Sequence, residues 1–122
     1  MNPVLVINDD RDLFFTMKTY LKEMEVDFVA ASTADGALAL ARKHDFVLAL
    51  IDLKLVDMDG DKLYDKLIEL EAHYTLPVGV LLNTKDKEEL EVINRWAPEL
   101  PVTLLSVPLN KDVFVEFVSS HV

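Results

Sequence analysis

Acidic side chains gather in two short segments of this 122-residue chain. Asn8-Asp9-Asp10 follows the apolar run Val4-Leu5-Val6-Ile7, and Asp52 closes the run Phe46-Val47-Leu48-Ala49-Leu50-Ile51. Beyond Asp52 the chain reads Leu53-Lys54-Leu55-Val56-Asp57-Met58-Asp59-Gly60. A carboxylate ending so apolar a run sits where uncompensated charge is costly. Carboxylates that converge from two strands repel unless a proton or cation intervenes, so a hard, oxygen-seeking ion such as Mg²⁺ is a natural guest. Simpler roles compete. Asp9 and Asp10 also suit a turn and N-cap for a helix starting near Asp12. Asp57 and Asp59, before Gly60, suit ordinary loop and capping acids. Cysteine is absent, which removes disulfides, thiolate zinc sites and a cysteine nucleophile. His44, His73 and His121 have no ligand spacing and read as exposed polar residues. Gly36, Gly60 and Gly79 are isolated, so no glycine-rich loop is present to cradle a phosphate.

The elements that must position these acids follow from hydrophobic pattern. Two further continuous apolar runs, Val78-Gly79-Val80-Leu81-Leu82 and Val102-Thr103-Leu104-Leu105, join those before Asn8 and Asp52. Runs of this kind suit parallel strands buried on both faces. Val26-Asp27-Phe28-Val29-Ala30-Ala31 alternates instead, which suits an edge strand. Helical spacing separates the runs: Leu13, Met17, Tyr20, Leu21 and Met24, then Ala37, Leu38, Leu40 and Ala41 after the caps Ser32-Thr33. Leu63, Leu67, Ile68 and Leu70 follow Asp59-Gly60-Asp61; Leu90, Ile93 and Ala97 follow Asn83-Thr84; Val113, Phe114, Phe117 and Val118 follow Asn110. Five alternations of strand and helix with short connections predict an α/β domain with one doubly wound five-stranded parallel sheet. No linker or repeat divides residues 1–122, so one domain is expected. Its ligand crevice lies at the carboxyl ends of the strands, where Asp9 and Asp52 fall.

Composition narrows the functions. With 22 acidic against 12 basic residues the formal net charge is −10, which argues against tracking nucleic-acid phosphates. The longest apolar run is far shorter than the roughly 20 residues of a spanning helix. With the first strand so close to residue 1, no signal peptide is expected. The expectation is a soluble, acidic, cytoplasmic domain with no direct contact to nucleic acid or membrane.

Val4–Asp10 followed by Asp12-Leu13, and Asp52–Gly60, resemble the two signature segments of bacterial response-regulator receiver domains. Pro77–Leu82 and Leu105-Ser106-Val107-Pro108-Leu109 resemble the third and fourth. The likeness spans essentially the whole chain and implies the flavodoxin-like (βα)5 receiver fold. It further implies that a histidine kinase or phosphotransfer protein donates a phosphoryl group to Asp52. Mg²⁺ would be held by Asp9, Asp52 and the backbone carbonyl of Lys54, with Asn8 at the position of the first metal acid. Pro108 falls at the family's cis-proline.

Departures from the family pattern concern the readout. Asn8 can ligate through its amide oxygen but brings no charge, which weakens a Mg²⁺ site. The switch hydroxyl falls on Leu82, the phosphate-pairing lysine on Val107 and the aromatic switch on Leu104. Moving an equilibrium from 1:99 to 99:1 needs about 5.5 kcal/mol. A charged hydrogen bond supplies about 1.5–3 kcal/mol, so losing both partners removes most of it. Thr84 and Lys85, just beyond Leu82, are the nearest substitutes. The expected module is thus an atypical receiver acting largely through protein contacts, not an enzyme. Receiver domains commonly dimerise or dock through the fourth helix, last strand and last helix. Val92 and Trp96, at i and i+4, either cover a neighbouring turn or mark that partner surface. The rival class is a small Mg²⁺-dependent aspartyl-phosphate hydrolase on a similar scaffold, using Asp9 or Asp52. Such enzymes usually need an acid or hydroxyl two residues after the nucleophile, where Lys54 stands after Asp52.

Overall fold

A computed structural model describes residues 2–70 and 76–122 of the chain. Strands and helices alternate throughout: β1 Val4–Ile7, α1 Arg11–Glu23, β2 Phe28–Ala31, α2 Ala34–Lys43, β3 Leu48–Asp52, α3 Gly60–Leu70, β4 Val78–Leu82, α4 Lys87–Trp96, β5 Val102–Ser106 and α5 Lys111–Ser119. The five strands form one parallel sheet in the order β2-β1-β3-β4-β5. This is the doubly wound fold expected from the alternation. From β1 the chain steps outward to β2, then returns past β1 to β3, so the topological switch lies between β1 and β3.

Alternation along each strand divides the core in two. Leu5, Ile7, Ala49, Ile51, Val80 and Leu82 join Ala37, Leu63, Leu67 and Ile93 of α2, α3 and α4 on one face. Val4, Val6, Leu48, Leu50, Leu81 and Leu105 join Met17, Leu21, Phe114 and Val118 of α1 and α5 on the other. Sandwiching on both faces is why the central strands read as continuous apolar runs.

β5 departs from that expectation. Its apolar run is an edge strand, not a doubly covered one: only Leu105 is buried, while Thr103, Leu104 and Ser106 are exposed. β2 is the other edge, as its alternation predicts.

Caps fix where the helices begin. Asp10 caps α1, accepting from the Asp12 and Leu13 amides at 3.0 and 3.1 Å. Thr33 caps α2 through Gly36, and Asn110 caps α5 through Val113. The α4 cap is Asp86, three residues beyond the expected Asn83-Thr84 start. Asp57, read from the sequence as a loop and capping acid, reaches across to α2. Its two carboxylate oxygens accept from the Ala34 and Asp35 amides at 2.9 and 3.0 Å. This bond pattern pulls the Asp57 carboxyl below its ordinary value.

The segment between β3 and α3 closes tightly. The Gly60 amide donates to the Leu53 carbonyl at 2.7 Å, and Lys54 bridges Asp59. A Cβ on Gly60 would lie 2.6 Å from the Asp52 carbonyl oxygen, so glycine is required by this approach.

Candidate phosphoacceptor site

Parallel register delivers the acids to one place. Ile7 is paired with Ile51, so the residues that follow, Asn8 and Asp52, stand side by side at the strand ends. Asp9 and Asp10 continue from β1 and line the same cavity of about 240 Å³ as Asp52. Lys54, Leu82, Asn83, Glu89 and Val107 complete most of its wall. Carboxylates from two adjacent strands therefore do converge.

Asn8 is tied to both neighbouring acids. Its Oδ1 accepts from the Asp10 amide at 2.7 Å, which orients the carboxamide because an N–H needs an acceptor. Its Nδ2 consequently faces Asp52 and donates to Oδ2 at 3.3 Å.

Asp52 is half-buried, and it also accepts from the Lys54 amide, to Oδ1 at 3.3 Å. Burial pushes its carboxyl from the ordinary 3.8 up to about 6. The Lys54 amide opposes the rise, and Asp9, Glu89 and Asp10 add to it by repulsion. A nearby ammonium would reverse this, but the wall position near Pro108 is Val107, packed among the residues beneath α1 and α5. The Val107–Pro108 peptide is cis. Leu82 is buried and joins the opposite core layer. Leu104 stands exposed on β5. Thr84 and Lys85 are exposed and neither lines the cavity.

Two charged groups at the site escaped sequence reasoning. Lys54 carries the only cation among the residues lining the cavity, and its Nζ is held by Asp86 Oδ2 and Glu88 Oε2, each at 3.2 Å. These bonds raise its ammonium above the ordinary value. Glu89 is buried, and its Oε1 accepts from the Asn83 amide at 3.3 Å. Burial raises its carboxyl, with the Asn83 amide opposing. The Asp86-to-Glu89 spacing, a cap followed by Glu at the third helical position, was the available signal.

The residues considered for a partner surface are largely covered. Val92 and Trp96 are half-buried and pack on the α2–α4 side of the core. Trp96 meets Tyr64 edge-on, ring centroids 5.3 Å apart. Trp96 thus covers the groove against α3, and the apolar residues left open on β5 and α5 are Leu104 and Val113. Of the histidines, His44 is exposed and His73 lies outside the described residues. His121 is half-buried, with Nδ1 at 2.9 Å from the Phe117 carbonyl, which corrects its expected exposure.

Known proteins share this fold. Residues 4–93 match the response regulator receiver domain. Transcriptional regulatory protein SrrA of Staphylococcus aureus (strain NCTC 8325 / PS 47) is 30% identical over 87 residues, covering 71% of this chain and 34% of SrrA. The chain spans about a third of the length of the curated relatives it matches. A CheY-like receiver domain protein from Methanospirillum hungatei JF-1 superposes with TM-score 0.78 at 24% identity, over 98% of this chain and 92% of its own. The receiver domain of sensor histidine kinase PA1611 from Pseudomonas aeruginosa PAO1 superposes with TM-score 0.84 at 13% identity, over 98% and 96%. That structure holds a magnesium ion in its active-site cleft. Among the described residues, no helix is long and apolar enough to cross a membrane. Five parallel strands in receiver order, acids after β1 and β3, and the family match together place this chain in the response-regulator receiver-domain family of two-component signalling proteins.

Proposed function

We propose that this domain accepts a phosphoryl group on Asp52 and passes its signal mainly through protein contacts. The observation that carries the reading is the Asp52 carboxylate, at the end of the central strand β3, opening into a cavity it shares with Asp9. In the transfer, an Asp52 carboxylate oxygen attacks the phosphorus of a phosphohistidine on a kinase or phosphotransfer protein. The P–O bond forms as the P–N bond breaks, and the imidazole nitrogen leaves with the electron pair and takes up a proton.

Asp9, Asp52 and the Lys54 carbonyl form an all-oxygen set that suits Mg²⁺, an ion that retains several waters and needs few carboxylates. When bound, Mg²⁺ supplies positive charge against which phosphoryl charge is neutralised. Asn8 directs Asp52 Oδ2, and the Lys54 amide directs Oδ1.

Leu82 and Val107 offer neither hydroxyl nor amine, so the usual phosphoryl-driven rearrangement lacks its partners. Output then rests on surfaces of α4, β5 and α5, which dock a protein partner or a second copy. Lys54, two residues beyond Asp52, pairs with α4 and supplies no second acid, so no geometry favours a hydrolase. A Mg²⁺ titration with and without beryllofluoride, followed by amide NMR shifts, tests the reading. Shifts near Asp9, Asp52 and Asn83 are expected with both additives and are lost in Asp52→Asn, while Trp96 fluorescence and oligomeric state change little. Identical spectra for wild type and Asp52→Asn would end it.

A further inference from the structure

Asn8 and Glu89 are the buried polar residues among those described, and they differ in how they are satisfied. Asn8 bonds through both ends of its amide. Glu89 is 7% exposed, carries an acid into a cavity that already contains Asp9 and Asp52, and receives one side-chain hydrogen bond from outside its own turn, from the Asn83 amide. Its nearest cationic neighbour in the cavity, Lys54, has its ammonium on Asp86 and Glu88 instead. A buried carboxylate so weakly compensated is expensive and calls for a role.

That amide is the key to the role. An anion attached to Asp52 meets few donors here: the walls at Leu82 and Val107 are apolar and Asn8 Nδ2 is already bonded to Asp52 Oδ2, leaving the Lys54 amide and ammonium and the Asn83 amide at the end of β4. Lys54 gives its amide to Asp52 itself and its ammonium to α4. Glu89 occupies the Asn83 amide. We infer that Glu89 is an internal anion that occupies the Asn83 donor at the mouth of the cavity, so that a phosphoryl group on Asp52 has to displace it. The inference rests on Asp52 as the phosphoacceptor and makes Glu89 a gating residue for that same site. It carries two consequences. The turn between β4 and α4 is tied down in the unmodified protein by Glu89, and the extra negative charge beside Asp52 opposes an incoming phosphoryl group.

Four proteins, wild type, Glu89→Gln, Glu89→Ala and Asp52→Asn, are titrated with beryllofluoride at saturating Mg²⁺ and followed by amide NMR. Mg²⁺ alone is titrated separately, because removing an acid lowers cation affinity. Glu89→Gln removes the charge but retains an acceptor for Asn83, and Glu89→Ala removes both. Removing one like charge from the cavity is expected to tighten beryllofluoride binding about tenfold at saturating Mg²⁺. The Asn83 amide should shift on beryllofluoride addition in wild type, and in Glu89→Ala it should already be displaced before addition. Unchanged or weaker beryllofluoride binding in the Glu89 variants, with wild type binding normally, overturns the gate and leaves the phosphoacceptor intact. Absence of binding in all proteins, with wild type indistinguishable from Asp52→Asn, overturns the phosphoacceptor reading and the gate with it.

Discussion

Asp52→Asn should stabilise the metal-free domain at neutral pH and leave it unchanged in acid. Folding lifts the Asp52 carboxyl from 3.8 to about 6. Across about two pH units that gap corresponds to about 3 kcal/mol in full, and solvent screening at a half-buried group reduces it to about 1–2 kcal/mol. The sign follows from proton binding. Below 3.8 both folded and unfolded chains hold the proton, and Asp52 costs nothing extra. Between 3.8 and 6 the folded chain holds the proton more tightly, so wild-type stability falls as pH rises through that window. Above about 7 the loss is complete. Asparagine does not titrate, and it matches the protonated acid in shape while keeping a carbonyl oxygen that can accept from Asn8 Nδ2. Urea denaturation of both proteins in chelator-containing buffer from pH 4 to 8 should therefore give curves that coincide near pH 4. They should separate by about 1–2 kcal/mol in favour of the variant above pH 7. A difference independent of pH, or a wild type more stable than the variant at pH 7.5, would refute the assigned environment of Asp52.

Three further substitutions probe the framework. Gly60→Ala drives a methyl group to within 2.6 Å of the Asp52 carbonyl oxygen and 2.8 Å of the Leu53 Cα. Both are backbone contacts that cannot rotate away, so thermal denaturation should show a loss of about 2–4 kcal/mol together with altered amide shifts at Asp52. Asp57→Ala removes the acceptor for the Ala34 and Asp35 amides. Hydrogen exchange should accelerate at those two amides while the β1 and β3 amides keep their protection; uniform acceleration would contradict a local cap. Val107→Lys places an ammonium at the cavity wall and should return the Asp52 carboxyl from about 6 toward its ordinary range, read by carbon NMR titration of the carboxyl group. An unshifted titration would show that the new ammonium does not reach Asp52.

Much of the molecule was legible before any coordinates. β1, β3 and β4 are covered on both faces, so their apolar runs carry the information directly, and Asp9 and Asp52 fall at their ends by counting. β5 is harder to read because Val102-Thr103-Leu104-Leu105 is as apolar as a central strand, whereas exposure depends on its place at the sheet edge. At Asn8 composition names the amide but not which end faces the neighbouring acid, and the Asp10 amide decides that. Asp57 and Glu89 act on groups distant in the fold or around a turn, Asp57 across 23 residues to Ala34, and neither leaves a periodic trace. Trp96 was ambiguous in sequence since one helix face looks outward or toward a neighbouring helix depending on where α3 lies.

The segment from Leu53 to Gly60 is a hoop whose two ends are welded by the Gly60–Leu53 bond and the Lys54–Asp59 bridge. Its crown is moored to α2 by Asp57, while Val56 beside it is 79% exposed and touches little. Length is thereby constrained at the welds and free at the crown. Residues can be added beside Val56 without moving Asp52, whereas a single deletion has no slack to draw on and must pull either the acid or the second helix out of place. The hoop is a ruler laid between two parts of the protein, and its graduation is one residue.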